Sequence, residues 1–243
     1  MERSAGVSRG TLRRIESLAE RHGLSSEAVG ALTALLAHQA ADEHASTTVS
    51  DPQAAADRHV ADSLVALELP EVRAARSIAD LGAGAGWPGL ALAAALPSAR
   101  VRLVESASRR CRYLAGAVEA AGLANVEVVH ARAEGWPAGL GAHDLVTARA
   151  LAALPVLCEY AAPLLAPDGA LVAWKGAIGE DEARAGAVAA AELGLSAPQT
   201  ISVDPYPGAG AAALVVARKI APTPPRYPRR PGMALKRPLG SGA

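Results

Sequence analysis

Apolar positions along this chain follow two different periods. Up to about residue 69 they recur every three or four places, as in Leu12, Ile15 and Leu18, then Val29, Leu32, Leu35 and Leu36. That spacing predicts amphipathic helices with one buried face each. Gly23 suits the end of the first, and Ser25 or Ser26 suits the cap of the second. Asp51-Pro52 opens a third, because proline fits a first helical turn, and it runs to Leu69 before Pro70. From Ser77 the pattern changes. Short apolar runs at 77–81, 100–105, 125–130, 143–147 and 169–174 alternate with helical stretches at 87–96, 108–121, 155–166 and 180–193. Such alternation predicts βαβ units and a parallel sheet. Two more strand-like runs, 199–203 and 212–218, have only a short Pro/Gly loop between them. That gap is too short for a helical crossover, so the pair is antiparallel.

The expected fold is therefore α/β: a mostly parallel seven-stranded sheet with an antiparallel last strand, preceded by a helical extension. The boundaries fall at 1–72 for the extension, 73–220 for the Rossmann-like core and 221–243 for an extended Pro- and Arg-rich tail.

Composition changes this picture little. Of the 243 residues 51% are apolar, enough for a sizeable core, but Phe is absent and alanine supplies much of the share. Small side chains imply closely packed helices. The 24 basic and 24 acidic residues cancel, so bulk charge suggests no polyanion partner. The distribution is less even. No acid follows Asp204, yet Arg218, Lys219, Arg226, Arg229, Arg230, Lys236 and Arg237 do. A phosphate-binding tail and a solvated, disordered one both fit that run. Cys111 and Cys158 form neither a metal spacing nor a disulfide framework, which suits a reduced, cytoplasmic protein without a metal site. No stretch is apolar for the roughly 20 residues a membrane span needs.

The chemistry is concentrated where the first strand ends. Asp80-Leu81 breaks into Gly82-Ala83-Gly84-Ala85-Gly86-Trp87-Pro88-Gly89, and a helical pattern follows at once. A backbone stripped of side chains there places a nucleotide-like cofactor at the strand's carboxyl end. A dinucleotide fingerprint would put its third glycine where Trp87 stands. The spacing suits S-adenosylmethionine instead, which carries no phosphate, and whose amino group and sulfonium favour a nearby carboxylate such as Asp80. Glu105, ending the second strand, is placed to accept ribose hydroxyls; this supports a nucleoside without separating the two cofactors. Ala133 and Glu134, just past the third strand, fall beside the adenine ring in such a sheet. Arg149 and Lys175 end the fourth and fifth strands on the same rim.

Together these motifs make the chain resemble the bacterial small-subunit ribosomal RNA guanine-N7 methyltransferases, also known as the glucose-inhibited division protein B family. The motifs are Arg58-His59-x-x-Asp62-Ser63, the glycine loop with Pro88-Gly89, Arg132-Ala133-Glu134, Ala148-Arg149-Ala150, Trp174-Lys175-Gly176 and the tail from Pro222 to Gly232. Three positions depart from the family pattern: Ser46-Thr47-Thr48-Val49 replaces an Asn-Leu-Thr segment, Glu105 stands for Asp, and Ala148 for Ser. The resemblance implies a class I methyltransferase acting on 16S ribosomal RNA or the small subunit, as a monomer. It implies that Gly82, Trp87, Ala133, Glu134 and Arg149 hold S-adenosylmethionine, to which the loop spacing and the strand-end acid add Gly84 and Glu105. The helix bearing Arg58 and His59 would lie across the cofactor mouth, and those two residues, Lys175, Arg229 and Arg230 would meet RNA. Guanine N7 has a lone pair and no proton, so no catalytic base is expected; Arg149 and Lys175 would position. A methyltransferase acting on another RNA or on a small molecule is the alternative.

Overall fold

The computed structural model describes residues 7–42, 45, 47–49 and 51–240. Ser46, one of the departures noted above, lies outside them, as do 1–6 of the helical extension and 241–243 of the tail. Helix α1 (Arg9–His22) is capped by the Ser8 hydroxyl, which accepts from Thr11 N at 3.1 Å, and it ends at Gly23 in the left-handed conformation, φ 68°. Ser25 caps α2 (Ser26–Ala41). A helical run then covers 52–68: α3 (Pro52–Ala55), a π-helical stretch (Ala56–Ala61), α4 (Asp62–Leu64) and a 3-10 turn (Val65–Glu68). Asp51 caps it, accepting from Ala54 N at 2.8 Å. The expectation of one regular helix to Leu69 is thus corrected by the π-helical middle. Helix α5 (Pro70–Ala74) leads into the sheet.

Seven strands form that sheet: β1 (Ser77–Leu81), β2 (Arg100–Glu105), β3 (Val126–His130), β4 (His143–Arg149), β5 (Leu165–Lys175), β6 (Gln199–Val203) and β7 (Ala212–Arg218). Their order is β3-β2-β1-β4-β5-β7-β6; β1 to β5 run parallel, and β7 lies antiparallel to both its neighbours. The antiparallel strand is therefore inserted beside β5 rather than added at the edge. Helices α6 (Gly89–Ala95), α7 (Ser108–Ala121), α8 (Leu154–Ala161) and α9 (Glu180–Glu192) make the crossovers. Strand β5 begins earlier than its apolar run suggests, and α8 stops earlier. The extra residues include Asp168 at φ 63° and an irregular register against His143–Leu145, which periodicity does not register.

Alternate residues of the strands serve two cores, as a sheet covered on both faces requires. Ile78, Leu103, Leu145, Val172 and Leu214 face a layer that includes Ile15 and Leu18 of α1, Leu32 and Leu35 of α2 and Leu64 of α4. Ala79, Val104, Val146, Leu171 and Val215 face α8 and α9. The N-terminal helices thus share one core with the sheet.

The C-terminal segment is not an extended tail. Over 221–240 it packs on the α8–α9 face, burying Tyr227 and Ala234, and includes a short helix α10 (Met233–Lys236). The Arg229 guanidinium grips the Glu159 carboxylate with Nε at 2.7 Å and with Nη2, and Glu159 is 1% exposed. This corrects the expectation that Arg229 is available to RNA. Arg229→Ala strands a buried carboxylate and is expected to cost about 2 kcal/mol in urea unfolding. An unchanged midpoint would show the pair to be idle.

Candidate functional site

The carboxyl ends of β1, β2 and β4 converge on the glycine loop. Asp80 is buried beneath it. Its Oδ2 accepts from Gly89 N at 3.1 Å, at the start of α6, and its Oδ1 accepts from the Thr147 hydroxyl on β4 at 2.8 Å. Burial pushes the carboxyl up to about 6 despite those two hydrogen bonds. The acid therefore buckles the loop to the sheet and is not among the residues lining the cleft over the loop.

Two loop glycines differ in what they permit. Gly86 is at φ 92°, and a Cβ there would sit 2.1 Å from Leu90 Cδ1, so packing alone demands glycine. Gly84 is at φ 56°, and its Cβ would meet only the Gly82 carbonyl at 3.7 Å. Bare main chain at Gly84 thus faces open space, a cradle that a side chain would fill. Beneath it, Glu105 Oε2 accepts from Gly84 N at 3.1 Å and Oε1 accepts from Ala107 N at 2.8 Å. Arg110 approaches the same carboxylate at 3.7 Å.

Over the loop lies the helical run of 52–64, leaving a cleft of about 230 Å³ lined by Gly82, Gly84, Trp87 and Arg149 together with Thr47, His59 and Arg110. The π-helical stretch sits here, as such segments often do at functional sites. It leaves the Arg58 carbonyl able to accept from Arg149 Nη1 at 3.3 Å. Arg149 also pairs with Asp62 at 2.8 Å and brings Nη2 within 3.3 Å of His59 Nδ1. Burial outweighs that guanidinium and lifts the Asp62 carboxyl above its usual range. His59 bonds Thr47 Oγ1 at 2.9 Å and stacks on Trp87, with centroids 5.6 Å apart. Burial first, and the Arg149 charge second, lower His59 to about 4, so the ring is neutral at pH 7.

Two indoles brace this layer. Trp87 Nε1 donates to Gln39 Oε1 at 2.8 Å, and Trp174 Nε1 donates to the Asp62 carbonyl at 2.7 Å. Gln39 and Thr147 carry no signal in the sequence, since an isolated polar residue in an apolar element reads as a solvated position.

The remaining predicted residues are not in the cleft lining. Ala133 and Glu134 occupy a 3-10 turn (Ala133–Gly135) past β3, where Glu134 Oε1 accepts from Gly232 N at 2.9 Å. Lys175 does not stand unpaired at the rim: it pairs with Glu182 at 2.6 Å and donates to the Ala152 carbonyl at 3.2 Å. Arg58 and Arg230 are exposed, with no ion pair among the described residues. No group of three or more His, Cys, Asp or Glu among the described residues is placed to hold a metal ion. No helix among them is long and apolar enough to cross a membrane.

His59 and His143 both lie at about 4 because of burial, against 6.5 for an unburied ring. The unfolded chain therefore binds two more protons between those values, and stability falls as pH drops from about 6.5 to about 4. Asp80, raised to about 6, and Asp62, also raised by burial, oppose this over part of the window, because the folded state holds their protons more tightly, while His22, lowered by burial, adds to it. The net expectation is a lower Tm at pH 4.5 than at pH 7, with a smaller drop in His143→Gln. Equal drops in both proteins would contradict it.

A family model described as "rRNA small subunit methyltransferase G" matches residues 27–203. The ribosomal RNA small subunit methyltransferase G of Rubrobacter xylanophilus is 42% identical over 198 residues, 79% of this chain and 76% of that one. Its namesake in Pelotomaculum thermopropionicum is 39% identical over 197 residues, 79% of this chain and 82% of the other. Among solved structures, cofactor-bound Rv0187 from MTB superposes with a TM-score of 0.55 at 24% identity, covering 78% of this chain and 89% of that one. The SAM-dependent O-methyltransferase TM0748 of Thermotoga maritima gives 0.53 at 17% identity, covering 67% and 66%. These structures bear out the Rossmann-like methyltransferase fold. With its glycine cradle, its strand order and this kinship over most of its length, the chain belongs to the rRNA small subunit methyltransferase G family and is an S-adenosylmethionine-dependent rRNA methyltransferase.

Proposed function

We propose that the cleft over Gly84 holds S-adenosylmethionine and that the methyl group goes to N7 of one guanine in 16S ribosomal RNA. The bare main chain at Gly84, directly above the Glu105 carboxylate, carries this reading. Glu105 accepts from ribose hydroxyls with the lone pairs that Gly84 N and Ala107 N leave over. Arg149, already neutralised by Asp62, turns its unspent N–H groups to the carboxylate end of the cofactor. The stacked Trp87 and His59 wall the opposite side. Ala133 and Glu134 read the adenine edge.

When bound, S-adenosylmethionine supplies a methyl group on a sulfonium. Guanine N7 offers a lone pair and no proton, so the chain need not provide a base. The lining suits that: His59 is neutral and tied to Thr47, and Asp62 is tied to Arg149. Rate then comes from alignment of the two reactants. N7 lies in the deep groove of an A-form helix, so the target guanine must be exposed or extruded. Arg58 and Arg230, both exposed, meet RNA phosphates. Two cysteines in no disulfide or metal spacing suit work in the cytoplasm, where the protein is expected to act as a monomer.

The test is methylation of unmethylated 16S RNA and of 30S subunits with labelled S-adenosylmethionine, followed by mapping. Label at a single guanine, released by the chain cleavage that N7 methylation permits, is expected. Label on another base, or on a ribose, would refute the N7 assignment.

A further inference from the structure

The segment joining Arg149 to α8 is built in an unusual way. Ala150, a non-glycine residue, is held at φ 53°, a conformation such residues keep only when their surroundings enforce it. Leu151 follows, 36% exposed, with its Cδ1 only 2.6 Å from where a Cβ on Gly82 would lie. An apolar side chain thus covers the first loop glycine at the cleft's lip. What enforces the turn comes from elsewhere in the chain. Lys175 Nζ donates to the Ala152 carbonyl at 3.2 Å and pairs with Glu182 Oε1 at 2.6 Å. The same Glu182 oxygen accepts from Leu154 N, the first amide of α8, at 2.8 Å. One lysine–glutamate pair therefore holds both a carbonyl and an amide of the segment, two residues apart.

We propose that Lys175 and Glu182 are positioning residues, a clamp that fixes segment 150–153 so that Leu151 covers Gly82 and Arg149 keeps its aim. The proposal rests on the reading of this cleft as the methyl-transfer site. It assigns Lys175 a different task from the RNA contact expected of a rim cation. A lysine that neutralises phosphate acts through salt-dependent RNA affinity. A clamp lysine acts through the geometry of the reacting groups, and its glutamate partner matters as much as it does.

Lys175→Met and Glu182→Gln, made in the full chain, separate the two. Both side chains are partly exposed, so the fold should survive either change. The clamp predicts faster hydrogen exchange at the Leu154 amide in both variants. It also predicts a fall in kcat of at least about tenfold in each, and a double variant little worse than either single one. The salt dependence of RNA binding should stay as in the parent. A phosphate contact predicts instead a log–log salt slope reduced by about 0.7–0.9 in Lys175→Met alone, with Leu154 exchange unchanged. That result, or parental kcat in either variant, overturns the clamp. If the parent chain failed to methylate ribosomal RNA, the cleft reading would fall on its own, and exchange at Leu154 would still decide whether the pair holds the segment.

Discussion

Arg149→Ala is expected to lower kcat/KM for methyl transfer by about a hundredfold or more, the scale of losing one preorganised donor in a reacting site. The guanidinium is the hub of the cleft. It touches Asp62, the Arg58 carbonyl and His59, and so couples the end of β4 to the helical run above it. Removing it leaves the half-buried Asp62 without its cation. That carboxyl already lies above its usual range and would rise further, toward the neutral form. Protonation softens the stability cost, so the fold survives while alignment is lost. Arg149→Lys should recover little, because an ammonium cannot reproduce the planar fork that spans three partners. Steady-state kinetics with ribosomal RNA, alongside circular dichroism, check this. Parental turnover in Arg149→Ala would remove the residue from the site.

Glu105→Ala is expected to weaken S-adenosylmethionine binding by about a hundredfold, near 3 kcal/mol. Two losses combine. The ribose hydroxyls lose a charged acceptor, and the Gly84 and Ala107 amides lose theirs, so the loop itself slackens. Glu105→Gln keeps one carbonyl oxygen and should fall between the two. The buried Asp80 on β1 cannot substitute, since its oxygens are spent on Gly89 and Thr147. Equal affinity for parent and Glu105→Ala would show that the second strand's acid serves the loop only.

The residues of the fold that the sequence exposes are those governed by local rules. Periodicity separated helices from strands, and the short 204–211 connection forced β6 and β7 to pair antiparallel. Ser25 and Asp51 capped where small polar residues should, and Gly23 stopped α1. The glycine loop was legible because four glycines within residues 82–89 exceed what a tight turn requires. The failures share a cause: each depends on a partner distant in sequence. Nothing in Asp57-Arg58-His59 signals a π-helical stretch; its carbonyl is satisfied by Arg149, 91 residues on. Arg229 reads as a tail cation until Glu159, 70 residues earlier, is brought beside it. Lys175 reads as a rim cation until Glu182 folds back across the start of α8. A cation's neighbours decide whether it is free, and periodicity does not supply them.

The most direct measurement is a calorimetric titration of S-adenosylmethionine into the parent chain and into Gly84→Ala. Space beside Gly84 is open in the protein alone, so the added methyl group meets the incoming nucleoside, and an alanine held at φ 56° adds strain in the loop to that clash. One equivalent bound by the parent, and binding lost or weakened by tenfold or more in the folded variant, is the expected outcome. No uptake by the parent, or the same affinity in both, would mean that the donor is held elsewhere.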